Sequence, residues 1–449
     1  MPGGLLTDLY ELNMAASYLR RGMIAPATFS LFVRQLPPER GFLVAAGLAS
    51  CLDFLESFGF DDEELGYLGA IGFDDRALSD LAGVGFHGDV RAVPEGRIVH
   101  AEEPIIEVTA PIPVAQLVET YLMNQITLHT TLASKAARYV IAAEGRDLVE
   151  FGFRRSQGRD AAMAVARASA LVGFVATSNV EAARRLELQV AGTMAHAFIE
   201  AFPSERDAFA AFAEDHPTRT TFLVDTYDTL HGVRTAIEVA RAAGIADRMG
   251  VRLDSGDLDH LSREARRILD DEGLPGARIF ASGGLDEHEV AELVHAGAPV
   301  DAFGVGTQMG VSADAPYLDT VYKLVDYDGT PTMKLSAAKV TAPGRKQVFR
   351  GPDDAGDLLA LADEDVPDGW QALLTPVMSG GERIGKDPGM GTLRARFSAD
   401  LETLPAKAKR LRHAELVNVR HSDALMALTS ETREDAMERG GLVEPRGSD

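Results

Sequence analysis

The chain has 449 residues, with 44 Lys and Arg against 68 Asp and Glu, a formal net charge of -24. That length calls for two or three domains, and that charge repels a nucleic-acid backbone or an anionic lipid surface, so neither is expected as a partner. Cys51 is the only cysteine, which excludes a disulfide framework and a cysteine-rich zinc site within one chain.

From the N-terminus, MPGGLLTDLYELNM shows neither a basic n-region nor a long apolar h-region, so no signal peptide is expected. With no run of about 18 apolar residues to span a membrane, the expected location is the cytoplasm. LLTDLYELNMAASYLRRG carries apolar residues at helical spacing, with Thr7 as N-cap and Gly22 as stop. ATFSLFVRQLP reads as extended. HGDVRAVPEGRIVHAEEPIIEVTAPIPVAQ alternates apolar residues between Pro and Gly, which predicts a small β-rich unit. A long helical pattern follows from Leu117 to Ala143.

Between residues 148 and 307 one design recurs seven times: a short apolar run ending in small, hydroxylic or charged residues. The segments are Leu148 to Gly158, Gly173 to Val180, Leu188 to His196, Thr221 to Thr229, Gly250 to Asp257, Arg278 to Gly284 and Asp301 to Thr307. Such runs read as buried parallel strands, and the alanine-rich amphipathic stretches between them (AAMAVARASAL, EVAELVHAG) read as helices. This alternation favours an α/β barrel over an open sheet. The expected domains are 1–130, an α+β unit; 131–345, the barrel; and 346–449, a C-terminal segment packing on the first. Within the last, GPDDAGDLLALADEDVPDG reads as acidic and turn-rich, and MERGGLVEPRGSD as disordered.

Barrels keep their chemistry at the carboxyl ends of the strands. Collected there are Arg154, Arg155, Thr193, His196, Asp225, Arg252, Asp254, Ser282 and Thr307, a set suited to a multiply charged phosphate ligand. DAFGVGT, with Gly306 and Thr307, either is a tight turn or offers backbone amides to a phosphate. ASGG, with Ser282, Gly283 and Gly284, adds a second glycine-opened end and favours phosphate. Arg154 and Arg155 offer guanidinium groups for bidentate pyrophosphate or carboxylate. They read as the end of a strand, where alternation points one into the site and the other toward its support or a neighbouring subunit. Arg252, Asp254 and Asp257 on one tip suit a carboxylate ligand, ribose hydroxyls and hydrated Mg²⁺; a structural ion pair is the alternative, above all for Asp257. His196 alone among 11 histidines follows a strand-end Gly-Thr, which suits acid–base or nucleophilic duty. With no HxH or HExxH pairing, no protein-held metal is expected. The only lysine before Val321 is Lys135, on a helix, which argues against Schiff-base chemistry. GxGxxG and GxxxxGK[ST] are both absent.

These residues resemble the nicotinate phosphoribosyltransferase family of NAD salvage. The likeness runs through TDLYELNM, FGFRRSQG, TSNV, GTMAHAF, VDTYDT, GVRLDSGDL, ASGGLD, FGVGT, VYKL and MKLS in order. It implies a type II phosphoribosyltransferase fold: an irregular α/β barrel with an α+β domain built from N- and C-terminal segments, in a homodimer with shared sites. It further implies joining of nicotinate to 5-phosphoribosyl 1-pyrophosphate with Mg²⁺, and ATP as co-substrate through a phosphohistidine at His196. On the same basis Tyr10 stacks on the pyridine ring from the partner subunit. Thr193 and Arg252 hold the nicotinate carboxylate, Arg154 the ribose-pyrophosphate region and Thr307 the 5′-phosphate. Asp254 joins the catalytic set, and Ser282, Gly283, Gly284 and Gly306 line the substrate. Two departures stand out: Ala197 follows His196 where the family usually has serine, and Cys51 alone cannot form the C-terminal cysteine cluster of some relatives. Two rival readings are a sister enzyme using nicotinamide or quinolinate, and a noncatalytic phosphate-ligand binding protein on the same barrel. TDLYELNM and GTMAHAF favour nicotinate. Retention of Tyr10, Arg154, His196, Arg252 and Thr307 together disfavours a decayed site.

Overall fold

The computed structural model describes residues 3–218, 220–336, 341–352 and 355–442. Contacts divide the chain into two compact units, Met1–Thr131 with Tyr317–Asp449, and Leu132–Pro316.

In the first unit a seven-stranded antiparallel sheet runs in the order Thr330–Pro331, Thr320–Tyr327, Pro26–Val33, Pro104–Pro111, Asp89–Ala92, Thr375–Ser379, Glu382–Arg383. Pro26–Val33, the extended run of the sequence, is buried along nearly its whole length. Phe29 stacks on Tyr322 at 4.7 Å, an aromatic cross-strand pair of the kind that fixes register. The barrel was expected to reach residue 345. Instead residues 317–345 belong to this first unit, because VYKLVDY pairs antiparallel with Pro26–Val33 from Val33↔Thr320 to Ala27↔Tyr327. The first helix is Leu9–Arg20, and its N-cap is Asp8 rather than Thr7. Asp8 has the extended backbone of a cap, while the Thr7 hydroxyl turns to Glu11 and to the Leu117 carbonyl at 3.0 Å. Gly22 leaves the helix at φ +66°.

The acidic stretch read as turns hides the strand Asp357–Leu361, paired antiparallel with Lys346–Arg350 and parallel with Val419–His421. Its first residue is a buried acid made tolerable by Arg350, whose Nε and Nη2 donate to Asp357 at 3.2 and 2.7 Å. Of the tail read as disordered, Met437 to Arg439 complete the helix Asp423–Arg439, and residues 443–449 lie outside the described residues.

The second unit is an irregular α/β barrel. Its six parallel strands run Ala176–Thr177, Asp147–Glu150, Ala302–Val305, Arg278–Ala281, Gly250–Leu253, Thr221–Leu223. Phe222, Val251, Ile279 and Phe303 are wholly buried, one from each of four strands, as apolar runs without alternation require. Helices Arg159–Val172 and Glu287–His295 stand where the alanine-rich and EVAELVHAG stretches put them. The seventh expected strand, LQVAGTMAH, is reduced to one parallel bridge, Thr177↔Val190. Its neighbour is only two residues long, so the ladder has little to extend. Lys135 is buried and paired with Glu287 and, at 2.8 Å, with Asp314. No helix among the described residues is long and apolar enough to cross a membrane.

Candidate active site

The strand Gly250–Leu253 delivers the first half of the site. Arg252 sends Nη1 to the Thr193 hydroxyl at 2.7 Å. Its Nε is buried with no partner. Burial lowers the guanidinium from its ordinary value and Arg154 adds to that, against the raising influence of Asp254 and Asp225. Partial burial beside two acids leaves the guanidinium charged and directional, a group suited to a carboxylate or phosphate oxygen. Just beyond, Asp254 takes the Ser282 hydroxyl on Oδ1 at 2.5 Å. The adjacent acid, Asp225, accepts the Asp254 amide at 3.0 Å and the Ser255 hydroxyl at 2.6 Å, both on Oδ2. Its Oδ1 is buried and unpartnered, and the side chain is only 2% exposed.

His196 opens the short helix His196–Glu200. Nδ1 lies 3.2 Å from the Thr226 hydroxyl. Nε2 lies 3.7 Å from Asp254 Oδ2 and 3.9 Å from Asp225 Oδ1. Its side chain is 40% exposed, so the imidazole can meet a ligand while two carboxylates face one of its nitrogens. Carboxylates so placed stabilise positive charge on the ring, which is what an imidazole needs when its other nitrogen takes on an electrophile.

The loops are pressed together. A Cβ on Gly283, where φ is +111°, would lie 2.0 Å from the Asp254 carbonyl oxygen, so only glycine fits. Gly284, at φ +84°, faces open space. A Cβ on Gly306 would lie 2.8 Å from the Phe151 carbonyl oxygen, and Thr307 next to it is exposed at the start of Thr307–Gly310.

The sequence profile of the nicotinate phosphoribosyltransferase (NAPRTase) N-terminal domain matches residues 5–127, and that of the nicotinate phosphoribosyltransferase (NAPRTase) family matches residues 147–349. The chain belongs to the nicotinate phosphoribosyltransferase family. It is 48% identical over 445 residues to nicotinate phosphoribosyltransferase pncB2 of Mycobacterium tuberculosis, covering 95% of this chain and 96% of that one. It is 45% identical over 381 residues to the nicotinate phosphoribosyltransferase of Bacillus subtilis, with coverages of 81% and 77%. Its fold matches the crystal structure of human nicotinic acid phosphoribosyltransferase at a TM-score of 0.85 and 30% identity, over 95% of this chain and 99% of that one.

Against this family background, Arg252 contacts Thr193, and Asp254 meets both Ser282 and His196, with Gly283 packed beneath Asp254. Arg154 and Arg155 are exposed on the 3₁₀ turn Phe153–Arg155. The strand stops at Glu150, so the expected alternation of faces through the two arginines does not apply. Asp257 is the N-cap of Leu258–Asp271, accepting the His260 amide at 3.1 Å, which is its structural role. Tyr10 stands in the first unit, half exposed, its hydroxyl donating to Glu11 at 3.0 Å. Burial and the acids Glu119, Glu11 and Asp8 push that phenol up. Sequence reading missed Thr226 and Ser255. Both directly follow an acid, Asp225 or Asp254, at the end of a barrel strand, and that shared position was the available signal.

Proposed function

We propose that this chain transfers the 5-phosphoribosyl group of phosphoribosyl pyrophosphate to the ring nitrogen of nicotinate in the cytoplasm, yielding nicotinate mononucleotide and pyrophosphate, and couples this to ATP through phosphate carried on His196. The observation that carries the reading is the meeting of His196, Asp254 and Asp225 within 4 Å, on the same strand ends as a half-buried arginine whose Nε is enclosed and unpartnered. Departure of pyrophosphate leaves positive charge on the ribose and negative charge on the leaving group; Arg154 faces the latter. The pyridine nitrogen carries no proton, so no general base is required and positioning is most of the catalysis. Arg252 with Thr193 would take the nicotinate carboxylate, Ser282, Gly283, Gly284 and Gly306 would border the ribose phosphate, and Thr307 its 5′-phosphate.

In the ATP half-cycle the γ-phosphoryl group passes to an imidazole nitrogen, ADP leaves, and later hydrolysis of the N–P bond releases phosphate. Ala197 leaves no hydroxyl beside that nitrogen on the next residue. Among the described residues no cluster of three or more His, Cys, Asp or Glu could hold a metal. Mg²⁺ bound mainly through substrate phosphates fits this, since that ion keeps most of its waters. Asp254 and the free Oδ1 of Asp225 are the nearest acids to accept it. When bound it neutralises charge on the leaving pyrophosphate.

Assaying mononucleotide formation from nicotinate, nicotinamide and quinolinate, each with and without ATP, tests the reading. Product from nicotinate, stimulated by ATP, is expected; product only from another pyridine sinks it. The homodimer with shared sites has its own test. Mixed dimers of Tyr10→Ala with His196→Ala are expected to regain activity that neither parent shows, and an inactive mixture refutes sharing.

A further inference from the structure

Glu150 is an acid where an anion-binding rim ought not to have one. It ends the strand Asp147–Glu150 and is 1% exposed. One carboxylate oxygen accepts the Gly152 amide, and the other accepts the Thr177 hydroxyl. Burial raises its carboxyl above the usual range while those two hydrogen bonds draw it back. With both oxygens occupied and almost no exposure, Glu150 is poorly placed to meet a substrate or a metal.

Its two donors are pivots. Gly152 is the N-cap of the Phe153–Arg155 turn, and its carbonyl accepts the amides of Arg155 at 2.9 Å and Ser156 at 3.0 Å. A Cβ there would lie 2.8 Å from Glu150 Oε1 and 3.3 Å from the Gly306 carbonyl oxygen, so the turn is pressed onto both. Thr177 Oγ1 accepts the Asn179 amide at 3.0 Å, and Asn179 in turn caps Val180–Leu186. One carboxylate therefore fastens the tips of two adjacent barrel strands.

We infer that Glu150 is a positioning residue that sets the Phe153–Arg155 turn, and through Arg154 the grip on the pyrophosphate end of the phosphoribosyl donor. The inference rests on the role proposed above for Arg154. An amide in place of the carboxylate keeps the geometry: its oxygen still accepts the Gly152 amide, and its NH₂ donates to Thr177 Oγ1, whose hydroxyl can accept as well as donate. Alanine loses both bonds and frees the turn.

The test is steady-state kinetics on the full chain carrying Glu150→Ala, Glu150→Gln, Arg154→Ala, or Glu150→Ala with Arg154→Ala. Glu150→Ala is expected to raise KM for phosphoribosyl pyrophosphate by about 10- to 100-fold, the scale of a misplaced binding group, with the nicotinate KM little changed. Glu150→Gln should restore near-normal values, and the double variant should be no worse than Arg154→Ala alone. Equal damage from Gln and Ala, or additive damage in the double variant, overturns the inference. Should the alanine variant fail to fold, Thr177→Val removes one of the two bonds; an unchanged donor KM there is equally fatal. An Arg154→Ala variant with a normal donor KM would defeat the arginine's role itself, whereas a normal Glu150→Ala beside an impaired Arg154→Ala defeats only the coupling.

Discussion

Replacing His196 with alanine is expected to abolish the stimulation of turnover by ATP while a slow ATP-independent transfer survives. In the proposed mechanism the two halves separate, because there the imidazole serves only as phosphoryl acceptor and other groups hold the donor and nicotinate. Asp254 and Asp225 lie 3.7 and 3.9 Å from Nε2. Without the imidazole the two acids keep their bonds to Ser282, Ser255 and the Asp254 amide, so the pocket wall is expected to survive the substitution. Comparing initial rates with and without ATP checks this: the variant's ratio should fall to parity. If both rates drop by the same factor, His196 acts in the transfer itself and the coupling role is wrong.

Arg252→Ala should weaken nicotinate binding by about 2–5 kcal/mol, the cost of truncating one partner of a buried charge pair. In KM that is an increase of about 30- to 4000-fold. The reason for a large effect is the arginine's setting. Its Nη1 is committed to Thr193, its Nε is buried and unpartnered, and desolvation dominates its titration. A carboxylate arriving at such a guanidinium meets a group already partly desolvated. Measuring KM for nicotinate and for the phosphoribosyl donor separately decides the matter: an unchanged nicotinate KM removes the contact.

Much of the barrel was legible because its strands are short apolar runs with nowhere to face but inward, and such runs end where polarity returns. That logic located Thr193, Arg252, Asp254 and Ser282, whose mutual contacts the structure supplies. It failed where a local pattern has two outcomes. The barrel domain reads as running to residue 345, yet Thr320–Tyr327 pairs antiparallel with Pro26–Val33, nearly three hundred residues earlier. Leu188 to His196 has a strand's composition but borders a two-residue strand, so it bridges once and departs. Arg154 and Arg155 were taken as strand residues, although Gly152 had already turned the chain. The strand Asp357–Leu361 is masked by acids, the first of which, Asp357, is neutralised by Arg350 directly opposite on the paired strand. Thr226 went unnoticed because its partner, His196, is thirty residues away and no periodicity connects them.

Two atoms, Asp225 Oδ1 and Arg252 Nε, are enclosed by protein yet bonded to none of it. Each unmet group of this sort costs about 1–3 kcal/mol, a reserve that a partner group would release. Substrate that satisfies them releases that reserve: a ligand at a hundred times its Kd adds about 2.7 kcal/mol of stability. A ligand that meets both atoms is therefore expected to raise the temperature at which the protein unfolds, which thermal unfolding with and without nicotinate would measure.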